Sequence, residues 1–191
     1  MEQAKANKVK LFFVDASHFV MGGFSGVIWT KIRRYVQTAS GRQRYNVLGA
    51  LDFVTKKIET ITNNTYITAT EVIALIDKLA AAHVGASIKL VMDNARYQHC
   101  KAVIEHAAKT GVEIVFLPTY SPNLNLIERL WKFVKSDALN AAYHSSFSDF
   151  VSAIDDCIQS AHTLHKKRLD SLISEKVQFF DAVHQLITIA A

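Results

Sequence analysis

The sequence is short of proline, glycine and cysteine. Of its 191 residues only 2 are proline, 7 glycine and 2 cysteine, whereas 50% are hydrophobic. Linkers and disordered tails need more proline, glycine and net charge, so the composition excludes them and predicts one globular domain. Cys100 and Cys157 stand far apart without a CxxC partner. This excludes a disulfide framework and a structural zinc site.

Long apolar segments are lacking as well. No hydrophobic run approaches the roughly 20 residues that a membrane-spanning helix needs. Residues 1–10 lack the apolar core of a secretory signal peptide. We therefore expect a cytoplasmic protein with no membrane partner.

Positive charge is concentrated in one part of the chain. The formal net charge is +5, but the window from Lys31 to Lys57 alone carries +6. Basic residues beside tyrosines are typical of a surface that binds phosphates. A solvated hairpin face that only improves solubility has the same composition. The candidate phosphate contacts in this window are Arg33, Arg34, Arg42 and Arg44.

The order of the predicted elements indicates an α/β fold. Apolar runs rich in β-branched and aromatic residues predict five strands, at residues 8–15, 44–52, 56–62, 88–92 and 112–117. Apolar residues at helical spacing predict helices at 68–82, 97–109 and 147–161, and another after Ser121. Strands come first and then alternate with helices, which predicts a mixed five-stranded sheet with helices on both faces.

Three carboxylates are candidate site residues. Asp15 and Asp93 end predicted strands, and Glu128 lies on the helix after the last strand. Ligands of open α/β sheets bind at the carboxyl ends of strands. Three carboxylates there could hold two divalent ions about 3.5–4 Å apart and cleave a phosphodiester. Each also has a structural alternative: a turn for Asp15, an Asx turn or helix cap for Asp93, and a capping box from Asn125 for Glu128.

Two sequence blocks surround these carboxylates. Residues 91–97 read Val-Met-Asp-Asn-Ala-Arg-Tyr, and residues 117–131 read Leu-Pro-Thr-Tyr-Ser-Pro-Asn-Leu-Asn-Leu-Ile-Glu-Arg-Leu-Trp. Both closely resemble the C-terminal signatures of mariner-type insertion-sequence transposases, which are DDE superfamily endonucleases. Phe-Val-Asp at 13–15 and Asn-Val-Leu-Gly-Ala at 46–50 resemble the first two strands of that family. The resemblance covers roughly residues 8 to 140.

The resemblance implies a ribonuclease H-like fold and a transposase catalytic domain for DNA transposition and recombination. It implies that Asp15, Asp93 and Glu128 are catalytic and bind two ions of Mg²⁺ or Mn²⁺. The domain would span residues 8–140, after a polar lead-in at 1–7 and before a helical extension at 141–191. Its DNA partners would be the ends of the mobile element and the target.

The second block also predicts local structure. Ser121 as N-cap with Pro122 in the first helical position would start a helix rigidly and place Glu128 about two turns in. Lys132 and Lys135 would follow one and two turns later, where a DNA backbone approaches the ions. A surface Glu–Lys pair is the alternative. Where the family often has histidine this chain has Gln98, followed by His99, and either would contact DNA or cap a helix.

Related transposases also carry helix-turn-helix domains that read DNA sequence. Here the first catalytic strand is predicted by residue 8, so we expect those domains to be absent. A partner subunit that carries them, or a homodimer, would then complete the assembly. Two other functions stay open: a ribonuclease H-like nuclease without transposition, and a non-catalytic DNA-binding or assembly remnant of a split transposase.

Overall fold

A computed structural model describes residues 1–22, 31–32, 42–118, 124–140 and 142–173. Within these ranges the strands are Lys10–Met21 (β1), Gln43–Asp52 (β2), Ile58–Asn63 (β3), Ile88–Met92 (β4) and Val112–Phe116 (β5). The helices are Glu2–Lys5 (α1), Ala69–Ala82 (α2), Lys101–Thr110 (α3), Ile127–Val134 (α4), Phe147–Leu164 (α5) and Lys166–Leu172 (α6). A π-helical turn, Lys135–Leu139, continues α4.

The strands form one mixed sheet in the order β3-β2-β1-β4-β5. The first three strands are an antiparallel meander, and β1, β4 and β5 run parallel. Parallel neighbours need a crossover connection, which α2 provides before β4 and α3 before β5. The mixed five-stranded sheet predicted from the sequence is therefore confirmed.

Local capping explains where several helices begin and end. Thr68 caps α2 through a reciprocal capping box with Glu71. Ser146 caps α5 by accepting a hydrogen bond from the Asp149 backbone N–H. Gly111 ends α3 in the left-handed region at φ 73°, where a residue without Cβ is favoured.

Two predicted boundaries were wrong. β1 does not end at Asp15 but continues to Met21, because its second half pairs with β2 from Ala16 onward. Helix α3 begins at Lys101 and not near residue 97. The preceding residues form a turn in which the Gln98 backbone N–H donates to the Ala95 carbonyl.

Helices cover both faces of the sheet. On one face, which we call the α2 face, Phe12 and Val14 of β1 pack with α2 and α3. On the other, the α4 face, Phe13 and Phe19 of β1 pack with α4, α5 and α6. The two layers follow from the alternation of side chains along β1. Among the described residues, no helix is both long and apolar enough to span a membrane.

Candidate active site

Asp15 lies on the middle strand of the sheet, on the same side as Phe13 and therefore on the α4 face. Its backbone is paired with Gly49 of β2. Burial, together with the negative charges of Asp93 and Glu128, raises the pKa of Asp15 from 3.8 to about 7. The three candidate carboxylates thus lie within electrostatic reach of one another.

Asp93 reaches the same level of the sheet from the neighbouring strand. Phe13 of β1 is paired in parallel with Val91 of β4, and Asp15 and Asp93 each follow two residues later. One Asp93 carboxylate oxygen accepts a long hydrogen bond, 3.4 Å, from the Ala95 backbone N–H. The Asx turn weighed as an alternative is therefore present, but this weak contact leaves Asp93 beside Asp15.

Glu128 lies in the first turn of α4. The expectation that it stands about two turns into a helix was wrong, because the helix begins at Ile127. The proposed cap Ser121 and Pro122 lie outside the described residues. Burial raises the pKa of Glu128 and so does the charge of Asp93, whereas Lys132 one turn later opposes the shift.

Asn125 ties the entry of α4 to the central strand. Its side-chain Nδ2 donates to the backbone carbonyl of Val14 over 3.1 Å, and its side chain is almost fully buried. The alternative in which Asn125 and Glu128 form a capping box is thereby contradicted, since α4 has no side-chain cap. This hydrogen bond instead holds the Glu128 helix next to Asp15.

The Trp131 ring packs closely against Gly49, the residue of β2 that is paired with Asp15. A Cβ on Gly49 would lie 2.7 Å from the Trp131 ring, so only glycine allows this approach. The Phe19 ring lies edge-on to the same indole, and the two ring centroids are 6.2 Å apart. The buried indole N–H makes no well-formed hydrogen bond among the described residues, yet it lies near enough to lower the pKa of Asp15. The sequence motifs contained Gly49 and Trp131, but no local pattern predicted this contact.

Tyr97 lies within electrostatic reach of Asp15 and Asp93, and Gln98 is its neighbour in the chain. Burial raises the pKa of Tyr97 to about 12, helped by the charges of Asp15 and Asp93. Gln98 is fully buried and its Nε2 donates to the Tyr97 hydroxyl over 3.4 Å. His99 packs its ring against Phe116 at 4.5 Å. Helix α3 has no side-chain cap, which corrects the expected capping role of these two residues, whereas a DNA contact by either of them stays a prediction.

The donor set fits a hard divalent cation. Asp15, Asp93 and Glu128 offer only oxygen atoms, and their mutual repulsion is a charge imbalance that a cation relieves. Within the described ranges, no group of three His, Cys, Asp or Glu side chains is arranged to hold one metal ion. Magnesium needs only one or two carboxylates, because water and substrate phosphates complete its coordination.

The DDE superfamily endonuclease model matches residues 10–151 of the chain. The chain belongs to this family. No curated protein matches it. The Mos1 mariner paired-end complex with Mn is similar over 94% of this chain and 60% of that one, with 13% identity and a TM-score of 0.62.

Two further solved structures share the fold. The catalytic domain of Mos1 mariner transposase is 13% identical with a TM-score of 0.54, over 94% of this chain and 87% of that one. A simian T-cell lymphotropic virus intasome chain is 15% identical with a TM-score of 0.55, over 92% of this chain and 57% of that one. Together they confirm the predicted ribonuclease H-like fold. This DDE-family chain spans about 60% of the longer Mos1 chain.

The basic candidates of this DDE-family chain lie in three places. Arg33 and Arg34 lie outside the described residues. Lys132 stands one turn after Glu128 and is exposed. The exposed Lys135 leans over the Phe19 ring at 5.7 Å. A second basic group, Arg42 and Arg44, is exposed at the start of β2 and does not join the carboxylates.

Proposed function

We propose that this chain is the catalytic part of a transposase that cleaves DNA and joins the cut end to a target. The observation that carries the proposal is the proximity of Asp15, Asp93 and Glu128 at the parallel strands β1 and β4 in the middle of a ribonuclease H-like sheet. The catalytic domain spans residues 8–140, after the lead-in at 1–7. The segment 141–191 is its helical extension, of which α5 packs on the α4 face.

The three carboxylates would hold two divalent ions, Mg²⁺ or Mn²⁺. Bound ions of this kind activate the attacking water or 3′-hydroxyl and stabilise the leaving oxygen of the phosphodiester. The chain itself positions the donors: Asn125 fixes the helix of Glu128 to β1, and the Trp131 indole packs over Gly49 beside Asp15. A ligand group held by such packing needs little rearrangement when it binds.

Exposed cations would hold the DNA backbone. Lys132 and Lys135 follow Glu128 along one helix and the π-helical turn after it, and we propose that they contact phosphates close to the scissile bond. Arg42 and Arg44, with Arg33 and Arg34, would contact phosphates farther away. Such contacts fix the register of DNA without reading its sequence, and they weaken steeply as salt rises.

Sequence reading would then come from elsewhere in the assembly. We propose a homodimer, or a partner subunit with helix-turn-helix domains, that brings the element ends to the carboxylates. The lysines and arginines named above offer no base-specific pattern, because ammonium and guanidinium groups at a backbone contact do not distinguish bases.

A nicking assay tests the proposal. The protein is incubated with supercoiled plasmid and labelled element-end DNA in Mn²⁺, and nicked and joined products are measured. We expect Asp93→Asn and Glu128→Gln to lose at least about a hundredfold in nicking rate, since metal stabilisation of the transition state is worth several kcal/mol.

The matched control is Glu113→Gln, which changes an exposed carboxylate at the start of β5 that pairs with Lys89. This variant should nick like the wild type. Nicking without joined products would favour the nuclease without transposition. DNA binding by the wild type with no metal-dependent nicking would contradict both enzymatic functions and leave the binding remnant.

A further inference from the structure

A basic and aromatic groove opens at the end of the sheet where β2 begins and β3 ends. It has a volume of about 680 Å³, and its walls include Arg42, Arg44, Thr65, Tyr66 and Phe147. None of the described residues that line it is acidic. The groove therefore presents two guanidinium groups and two aromatic rings to a ligand.

Tyr66 is presented to solvent by a backbone that is held in place. Its side chain is 70% exposed, although tyrosine usually packs its ring. The Asn63 side chain donates to the Tyr66 carbonyl over 2.7 Å, and the fully buried Asn46 donates to the neighbouring Thr65 carbonyl over 2.9 Å. The Arg44 guanidinium lies 5.9 Å from the Tyr66 ring centroid. A rigid turn therefore exposes an aromatic face beside a cation.

The groove lies farther along the β1–β2 hairpin than Asp15, and by the alternation of β2 Arg44 lies on the α2 face, so a strand that leaves the carboxylates passes the end of the sheet to reach it. Gly49 is paired with Asp15, whereas Arg44 is paired with Val20, five residues farther along the same hairpin. At roughly 3.4 Å per residue this separation is about 17 Å. A strand within a duplex advances about 3.4 Å per nucleotide, and an unpaired strand can extend further, so about five nucleotides are enough to cover this distance along the hairpin.

We infer that this groove binds unpaired nucleotides of a DNA strand that leaves the carboxylate site, with a base stacked on Tyr66 and phosphates held by Arg42 and Arg44. The inference rests on the proposed function for the path of the DNA. A base inside a duplex is stacked on its neighbours and cannot offer its face to a side chain. A concave site of this volume admits one or two nucleotides. Cationic grooves with exposed aromatic rings bind single strands by this combination of contacts.

Metal-free binding measurements test the groove separately from catalysis. An oligonucleotide of about 12 nucleotides, within the usual range of single-strand site sizes, carries a fluorescent label and 2-aminopurine. Its affinity is measured by anisotropy in EDTA, both as a single strand and as a blunt duplex. We expect Tyr66→Ala to weaken single-strand binding at least about fivefold and duplex binding less than about twofold.

Two further variants separate stacking from charge. Tyr66→Phe should restore single-strand affinity and the quenching of 2-aminopurine, because the ring and not the hydroxyl stacks. Arg44→Gln should weaken single-strand binding and lower the slope of log affinity against log salt by about 0.7, the value of one phosphate contact on a single strand.

The matched controls change similar residues outside the groove. Tyr143 is 46% exposed and Lys109 is exposed at the far end of α3, so Tyr143→Ala and Lys109→Gln should leave single-strand affinity unchanged. Equal losses for Tyr66→Ala and Tyr143→Ala, or an equal loss on duplex and single strand, would overturn the inference. Because no metal is present, failure of the wild type to nick DNA leaves this test intact. Normal nicking with no Tyr66 effect would overturn the groove alone.

Discussion

The two faces of the sheet are built differently. The α2 face is packed by an apolar cluster that includes Phe12, Val14 and Leu79, and the fully buried Asn46 on this face is hydrogen-bonded to Asn63 and Thr65. The α4 face has an apolar cluster too, but it also places buried polar atoms beside Asp15. The side-chain oxygens of Ser17 and Asn125 and the indole nitrogen of Trp131 are buried without a well-formed hydrogen bond among the described residues.

The contrast separates residues that stabilise the fold from residues that prepare the site. A buried polar atom without a partner costs about 1–3 kcal/mol of folding free energy. On the α4 face the unpartnered atoms lie next to Asp15, whose pKa is raised. Such an arrangement is typical of a site that binds a ligand. On the α2 face the buried Asn46 side chain has hydrogen-bond partners, and substitutions in the apolar cluster there should affect the free energy of unfolding without affecting nicking.

Leu79→Ala should have the largest effect on stability. Leu79 is fully buried in the α2 face, and truncation of a buried leucine costs about 2–5 kcal/mol. We expect the free energy of unfolding, measured with urea, to fall by that amount while the nicking rate per folded molecule stays unchanged. Leu164→Ala is the control, because Leu164 is 78% exposed and its loss should cost less than about 0.5 kcal/mol. A lower nicking rate in folded Leu79→Ala would remove the distinction between the faces.

Asp15→Asn should change the free energy of unfolding in the opposite direction and stabilise the fold. Because the pKa of Asp15 rises from 3.8 to about 7 on folding, ionisation of Asp15 disfavours the folded state. Its stabilising contribution is complete below about pH 4 and is lost as pH rises through about 7, by up to about 4 kcal/mol. The metal-free Asn variant should therefore be more stable than the wild type at pH 8 and yet fail to nick.

Calorimetry at pH 4, 6 and 8 without metal measures this difference. Asp170→Asn, which changes an exposed carboxylate on α6, should follow the wild-type curve. If the Asp15 variant is less stable than the wild type at pH 8, the ionised Asp15 carboxylate stabilises the fold. The proposed free-energy cost of Asp15 on the α4 face would then be contradicted.

Gly49→Ala should have the smallest effect on stability, about 1–3 kcal/mol, which is typical of overpacking. The added Cβ would lie 2.7 Å from the Trp131 ring and 3.1 Å from Ile127, so these side chains of α4 must shift, and we expect Glu128 on the same helix to be displaced. We expect the nicking rate per folded molecule to fall. The control Ala50→Gly removes one methyl group from the next residue, on the α2 face. Equal nicking by the two variants would show that the Trp131 contact does not position the site.

Sequence patterns predicted the elements better than their contacts. The strand 88–92 and the helix predicted at 68–82 were confirmed, because apolar runs and helical periodicity act over a few neighbours. The extension of β1 to Met21 was missed, since its second half depends on pairing with β2. The start of α4 was misplaced, because Asn125 bonds to a strand more than 100 residues earlier and not to its own helix.

The sequence by itself determined the family and the α/β element order and singled out the three candidate carboxylates, because motifs and hydrophobic periodicity are properties of neighbouring residues. Only the tertiary structure decided how these parts meet. It pairs β1 with β4 so that Asp15 and Asp93 are level, and it packs Trp131 on Gly49. It also buries Asp15 enough to raise its pKa to about 7. These features depend on strand register and desolvation, which arise when distant segments pack together.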